Sequence, residues 1–95
     1  MTIGYAEIDL RLEGCNSLKE KRHIIKGQLE KIRRSLGVSA SEVGDQDLWG
    51  NAAVGICFVS DNAQVASRQI DRAIEAFETL AGVEVVGLQR DLIRT

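Results

Sequence analysis

The alternation of apolar and polar side chains near the N-terminus predicts a strand that is buried on one face. In residues 3–12, IGYAEIDLRL, every second residue is apolar. One side of this segment carries Ala6, Ile8, Leu10 and Leu12, and the other carries Tyr5, Glu7, Asp9 and Arg11. Because successive strand residues point to opposite faces, we expect the first set to face a core and the second to face solvent.

An amphipathic helix follows this strand. Ser17-Leu18-Lys19-Glu20 has the pattern of a capping box, and Gly37 is a suitable stop signal. At 100° per residue, four further apolar side chains fall within about 40° of Leu18 and form one seam: Ile25, Leu29, Ile32 and Leu36. The pattern therefore predicts a helix from Leu18 to Leu36 that packs on the sheet.

The second half of the chain is expected to form three strands and one helix. Residues 38–43 suggest a short edge strand, and the nearly all-apolar residues 51–60 suggest a central strand. A second helix is expected after a cap at Ser60 or Asp61, with an apolar arc through Ile70 and Phe77 and with Gly82 just past its end. Residues 83–92 complete the pattern as a strand, whose expected inward side chains are Val86, Leu88 and Leu92.

The element order βαββαβ favours an α+β fold, the ferredoxin-like sandwich. Right-handed crossovers place both helices on one face of a four-stranded antiparallel sheet with strand order 4-1-3-2. A length of 95 residues leaves room for one domain, which we assign to residues 1–95. The apolar third strand agrees with a central position in that sheet.

Composition indicates a cytoplasmic protein. Apolar residues are 44% and charged residues 27% of the chain, as in ordinary globular domains. The N-terminus does not have the pattern of a signal peptide, and no apolar run is long enough to span a membrane, so no membrane association is expected. Cys15 and Cys57 lack a CxxC spacing, and we interpret them as reduced thiols.

Charge is distributed unevenly, although the net charge is only −2. On the helical wheel, Lys19, Arg22, Lys26 and Arg33 form one stripe beside the apolar seam. Lys21 and Lys31 are placed on the far side of the helix, outside that stripe. Such a row of cations is able to follow RNA phosphates, to meet an acidic protein, or simply to be solvated.

Three segments carry a resemblance to a known family. They are the hexad Ser17-Leu18-Lys19-Glu20-Lys21-Arg22, then Val38-Ser39-Ala40-Ser41-Glu42, and then Asp47-Leu48-Trp49 before an apolar strand. Together they resemble the YlxP-like family of bacterial proteins, the domain of unknown function numbered 503. The resemblance implies the ferredoxin-like fold, a cytosolic setting, and genes that often lie near those for translation initiation and ribosome maturation. It supplies no catalytic residues.

The remaining residues support no catalytic or metal site. The chain lacks the common nucleotide-binding, zinc-protease and paired-cysteine motifs, and His23, the single histidine, is expected to face solvent. Asp45 and Asp47 are interpreted as turn formers. We therefore expect no enzyme activity, no metal and no cofactor, with a small enzyme of unknown reaction as the most remote alternative.

The sequence thus predicts a non-catalytic module linked to translation or ribosome maturation. Its expected partner is ribosomal RNA or a ribosome-associated protein, bound through Lys19, Arg22, Lys26 and Arg33. Trp49, in the loop before the third strand, is a second candidate contact, either as an anchor for a partner protein or as a lid on the core. The main alternative is a protein-interaction or homodimerising module that uses the open sheet face.

Overall fold

Two helices cover one face of a four-stranded antiparallel sheet in the computed structural model, which describes residues 1–44 and 48–95. The elements are β1 Thr2–Leu12, α1 Leu18–Leu36, β2 Ser39–Gly44, β3 Asn51–Ser60, α2 Ala63–Glu78 and β4 Val83–Arg94. The strand order β2-β3-β1-β4 is the predicted order 4-1-3-2 read from the other edge. The ferredoxin-like fold is therefore confirmed, while Asp45 and Asp47 lie outside the described residues.

The alternation in β1 produces the predicted division between core and open face. Ala6, Ile8 and Leu10 are at most 2% exposed beneath the helices, whereas Tyr5 and Glu7 are exposed on the other side. Because β1 pairs with both β3 and β4, its buried side chains lie at the centre of the core.

The ends of α1 follow the sequence signals. The Oγ atom of Ser17 accepts a hydrogen bond from the Glu20 amide at 3.1 Å, and the Glu20 carboxylate accepts one from the Asn16 amide at 2.8 Å. At the other end Gly37 adopts φ 68°, a left-handed conformation that glycine tolerates, and its amide donates to the Arg33 carbonyl. These caps satisfy backbone groups that the helix itself leaves without partners.

The N-cap of the second helix lies two residues after Ser60, the earlier of the two predicted caps. This N-cap is Asn62, whose Oδ1 accepts from the amides of Gln64 at 2.9 Å and Val65 at 3.2 Å. Ser60 instead accepts from the Asn62 amide and closes the turn before the helix. The prediction of a cap at Ser60 or Asp61 is therefore wrong, because asparagine is as good a cap as serine or aspartate.

A bulge shifts the pattern of the last strand. Leu10 pairs with Val85 while Asp9 pairs with Gly87, so Val86 has no counterpart in β1. Val85 consequently packs against the core, and Val86 is 46% exposed instead of pointing inward as predicted. Leu92 lies opposite Gly4 on the helix side, in agreement with its predicted direction.

Candidate nucleic-acid interface

Three of the four predicted stripe cations project from α1 into solvent. Lys19, Arg22 and Lys26 are exposed, and none of them forms an ion pair with a residue that the structure describes. An α-helix rises 1.5 Å per residue, so the three positions follow one another at about 4.5 and 6 Å along the axis. They form a row of available positive charge, which we call the basic flank.

The fourth cation, Arg33, has a structural contact as well. Its Nε donates to the carbonyl oxygen of Ala40 at 2.9 Å, and its Nη2 donates to the same oxygen. Ala40 belongs to β2, an edge strand, so the guanidinium ties the last turns of α1 to the rim of the sheet. Arg33 keeps its charge beside the basic flank, but its position is set by this contact.

Lys21 lies in the interior, and its predicted position on the far side of the helix is wrong. Its side chain is fully buried. The Nζ atom donates to the Leu48 carbonyl at 2.7 Å and lies 2.9 Å from Oε2 of Glu42, whose side chain is 17% exposed. This ammonium therefore joins α1, the edge strand β2 and the loop before β3.

A signal for Lys21 was present in the sequence. On the helical wheel Lys21 lies about 60° from Leu18, between Gln28 and Ile32, and both of those residues are buried. The predicted seam is centred on Leu18, which is only half-buried at the first turn of the helix. A wheel centred on Ile25 and Ile32 places Lys21 within the buried arc.

Trp49 lies in an exposed apolar pair on an anchored loop. Trp49 is 51% exposed and Leu48 is 53% exposed. Their backbone is held on both sides, since the Leu48 carbonyl accepts from Lys21 and the Gly50 carbonyl accepts from the Leu12 amide at 3.0 Å. About half of the Trp49 surface is thus accessible to a partner, and the other half packs against the protein.

The open sheet face differs in character from the basic flank. Tyr5, Val43, Val59 and Ile93 are exposed hydrophobic residues, and an open groove of about 360 Å³ runs along the side of the face nearest β2. Tyr5 is the one aromatic side chain on this face in the described part of the chain. Base-stacking RNA modules use several aromatic side chains on their central strands, so this face is poorly suited to stack bases.

Other reactive groups are dispersed. Within residues 1–44 and 48–95, no three His, Cys, Asp or Glu side chains gather in a way that would hold a metal ion. His23 is exposed on α1, and Cys15 is buried with its thiol donating to the Ser17 carbonyl at 3.4 Å. Among the described residues, no helix is long and apolar enough to cross a membrane.

Solved structures place the chain in the class of ferredoxin-like sandwiches. It aligns over its whole length with the solution NMR structure of LFR1 1, a de novo designed protein with ferredoxin fold, at TM-score 0.62, 14% identity and 88% coverage of that design. SnoaB, a cofactor-independent oxygenase from Streptomyces nogalater, aligns over 99% of this chain and 92% of its own at TM-score 0.54 and 8% identity. At these identities the likeness concerns the fold alone.

Sequence comparison then gives the family. A family model described as "Protein of unknown function (DUF503)" matches residues 3–90. The uncharacterised protein YlxP of Bacillus subtilis strain 168 is 32% identical over 82 residues, which are 86% of this chain and 89% of the relative. The chain belongs to the DUF503 family, as the motifs in its sequence indicated.

Proposed function

We propose that this chain is a non-catalytic RNA-binding module that acts in bacterial translation or ribosome maturation. The observation that carries the proposal is the basic flank, formed by Lys19, Arg22 and Lys26. Its expected ligand is ribosomal RNA, or an RNA-associated partner that presents similar negative charge. Arg33 adds a fourth positive charge from its fixed position against β2.

The physical basis is electrostatic. A cation that replaces condensed counterions at a phosphate releases them to solvent, and this release drives binding that weakens as salt is added. Cations within salt bridges contribute less, because part of their charge is already compensated. The flank residues have no ion-pair partner among the described residues, so their charge remains available to a polyanion.

The arrangement of charge on the molecule favours the helix over the sheet as the RNA contact. Glu7, Asp9 and Asp91 lie on the open sheet face, where they would repel phosphates. The helices cover the opposite side of the sheet, so the basic flank is kept apart from these carboxylates. A polyanion that approaches this protein is therefore expected to meet α1.

Charge reversal on the flank tests the proposal. The variant R22E/K26E is expected to lose binding to fluorescein-labelled 16S ribosomal RNA fragments and to be absent from ribosome pellets. The matched control is K31E/R34E, which makes the same change in net charge at two exposed positions elsewhere on α1. Binding is measured by fluorescence anisotropy at several potassium chloride concentrations, with circular dichroism to verify folding.

The control separates local contact from overall charge. If RNA follows the basic flank, K31E/R34E retains most of the parental affinity while R22E/K26E does not. If both variants lost the same RNA affinity, the loss would come from the change in net charge and not from the flank. Unchanged RNA binding by R22E/K26E would refute the proposal.

A further inference from the structure

The open sheet face contains a shallow groove of about 360 Å³. Its floor is β3, at Gly55 and Cys57, and its sides are Tyr5 of β1 and Val43 of β2. Val43 leans over this floor, since a Cβ at Gly55 would lie 3.0 Å from its Cγ1. The strands on either side of β3 are about 9.6 Å apart, twice the usual strand spacing, so a helix about 10–12 Å across would cover the groove and both of its sides.

Apolar side chains continue from the groove to one end of the face. Ile3 pairs with Val59 on one side and with Ile93 on the other, so the three lie in a row across the sheet. Val59 is 56% exposed and Ile93 is 46% exposed. Together with Tyr5 and Val43 they form a continuous apolar strip.

Beside this strip the face is acidic. Glu7 lines the groove, and Asp9 and Asp91 lie on the same side of the sheet by their pairing with β3 and β1. The one cation on this face within the described residues is Arg11, and it lies 3.6 Å from Glu84. Three carboxylates are therefore left without a compensating charge on the face itself.

The apolar strip and the uncompensated carboxylates together indicate which kind of partner the open sheet face binds. A second copy placed face to face would bring carboxylates toward carboxylates, which disfavours a symmetric dimer. The α1 helix of another copy offers cations, but its apolar seam is buried in its own core. RNA has no apolar ridge and would be repelled.

We infer that the open sheet face binds a basic amphipathic helix from a partner protein. The apolar ridge of that helix occupies the groove between Tyr5 and Val43, and its lysines or arginines lie over Glu7 and Asp9. This site is separate from the basic flank and does not depend on the proposed RNA contact.

The test uses a designed peptide as the probe. It has about 18 residues, or five helical turns, with leucines at i, i+3, i+4 and i+7 and lysines at the remaining positions. Two control peptides are used. The first keeps the leucine ridge but has glutamates in place of the lysines. The second has the same leucines and lysines in a scrambled order that forms no ridge. Titration into the ¹⁵N-labelled protein is expected to shift the amide resonances of Val43, Gly55 and Cys57 with the first peptide alone.

Three protein variants locate the site. E7Q/D9N removes two charges from the face and is expected to weaken peptide binding about 5-fold. S41Y fills the groove from β2 and is expected to weaken binding at least about 10-fold by steric exclusion. The matched control E75Q/E78Q removes two exposed carboxylates from α2, on the other side of the sheet, and should bind as the parent does.

Three results would contradict the inference. S41Y would bind the basic peptide as tightly as the parent protein does, E7Q/D9N and E75Q/E78Q would lose the same affinity, or the resonance shifts would be confined to α1 or α2. Concentration-dependent shifts at Val43 and Gly55 without peptide, together with a dimer in light scattering, would assign the face to a second copy. Preferential binding of the glutamate peptide would contradict the inference that the partner helix is basic.

Discussion

The Nζ atom of Lys21 lies 2.9 Å from Oε2 of Glu42, and this contact joins the first turn of α1 to the edge strand β2. A cation in the first turn of a helix is opposed by the helix dipole, and a buried cation also loses its hydration. The Glu42 carboxylate and the Leu48 carbonyl offset both costs. Lys21 is therefore a structural residue, although it lies in the sequence between two cations of the helix surface, Lys19 and Arg22.

The first prediction concerns the stability of this contact. K21M keeps the length of the side chain but removes its charge from beside Glu42. Loss of one member of a buried ion pair costs about 3–5 kcal/mol, so we expect a decrease of that size in the free energy of unfolding. Urea denaturation monitored by circular dichroism measures it.

A double-mutant cycle shows whether the pair is the cause. Combining K21M with E42Q should cost less than the sum of the two single changes, because the two groups interact directly. Strict additivity would contradict the contact. The exposed Lys31 supplies the control, since K31M should change stability by less than about 0.5 kcal/mol.

The second prediction distinguishes Arg33 from the other cations of the predicted stripe. R33Q removes the bonds from the guanidinium to the Ala40 carbonyl and should lower the free energy of unfolding by about 1 kcal/mol. R22Q and K26Q remove exposed side chains without such contacts in the described residues and should be nearly neutral. Thermal unfolding of the three variants checks this, and equal stabilities would show that the Arg33 contact contributes nothing.

The third prediction pairs two glycines with opposite effects. A Cβ at Gly4 would lie 2.9 Å from Cγ1 of Ile70 and 3.3 Å from the Ala66 carbonyl, so G4A should force α2 from β1 and cost about 1–3 kcal/mol. Gly27 lies within α1 with open space around it, so G27A should stabilise by about 0.5–1 kcal/mol. Chemical denaturation measures both, and a destabilised G27A would indicate an unrecognised contact at that position.

The fourth prediction concerns the salt dependence of RNA binding. Each phosphate contact contributes about 0.7–0.9 to the slope of log K against log salt. R22Q and K26Q should each reduce that slope by about one contact, and K31Q should leave it unchanged. A slope that does not respond to either flank substitution would mean that these residues do not touch phosphates.

The fifth prediction uses the two thiols. Cys15 is 4% exposed, whereas Cys57 is partly exposed in the groove of the sheet face. Iodoacetamide should therefore modify Cys57 first, and mass spectrometry after digestion identifies the labelled peptide. Modification of Cys15 should require opening of the structure and accelerate in urea; faster labelling of Cys15 in the native protein would contradict its burial.

The fold could be read from local patterns because each element signals its own boundaries. Ser17 and Gly37 delimit α1, and alternation in β1 assigns its buried face, because cap geometry and strand periodicity depend on near neighbours in sequence. Two errors lie at points where the pattern is ambiguous or interrupted. Three adjacent residues are able to cap α2, and Asn62 does so instead of Ser60 or Asp61. In β4 a bulge leaves Val86 without a partner and exposed.

The chain's own pattern thus determined the element order, the ferredoxin-like sandwich, the family and the candidate stripe at Lys19, Arg22, Lys26 and Arg33. Tertiary structure alone decided which cations are engaged, since Lys21 meets Glu42 across 21 positions of the chain and Arg33 meets Ala40 after the chain has turned into β2. It also decided that an apolar strip and three carboxylates share one open face. Hydrogen bonds and ion pairs depend on distances in space, and those distances exist only once the strands and helices have packed.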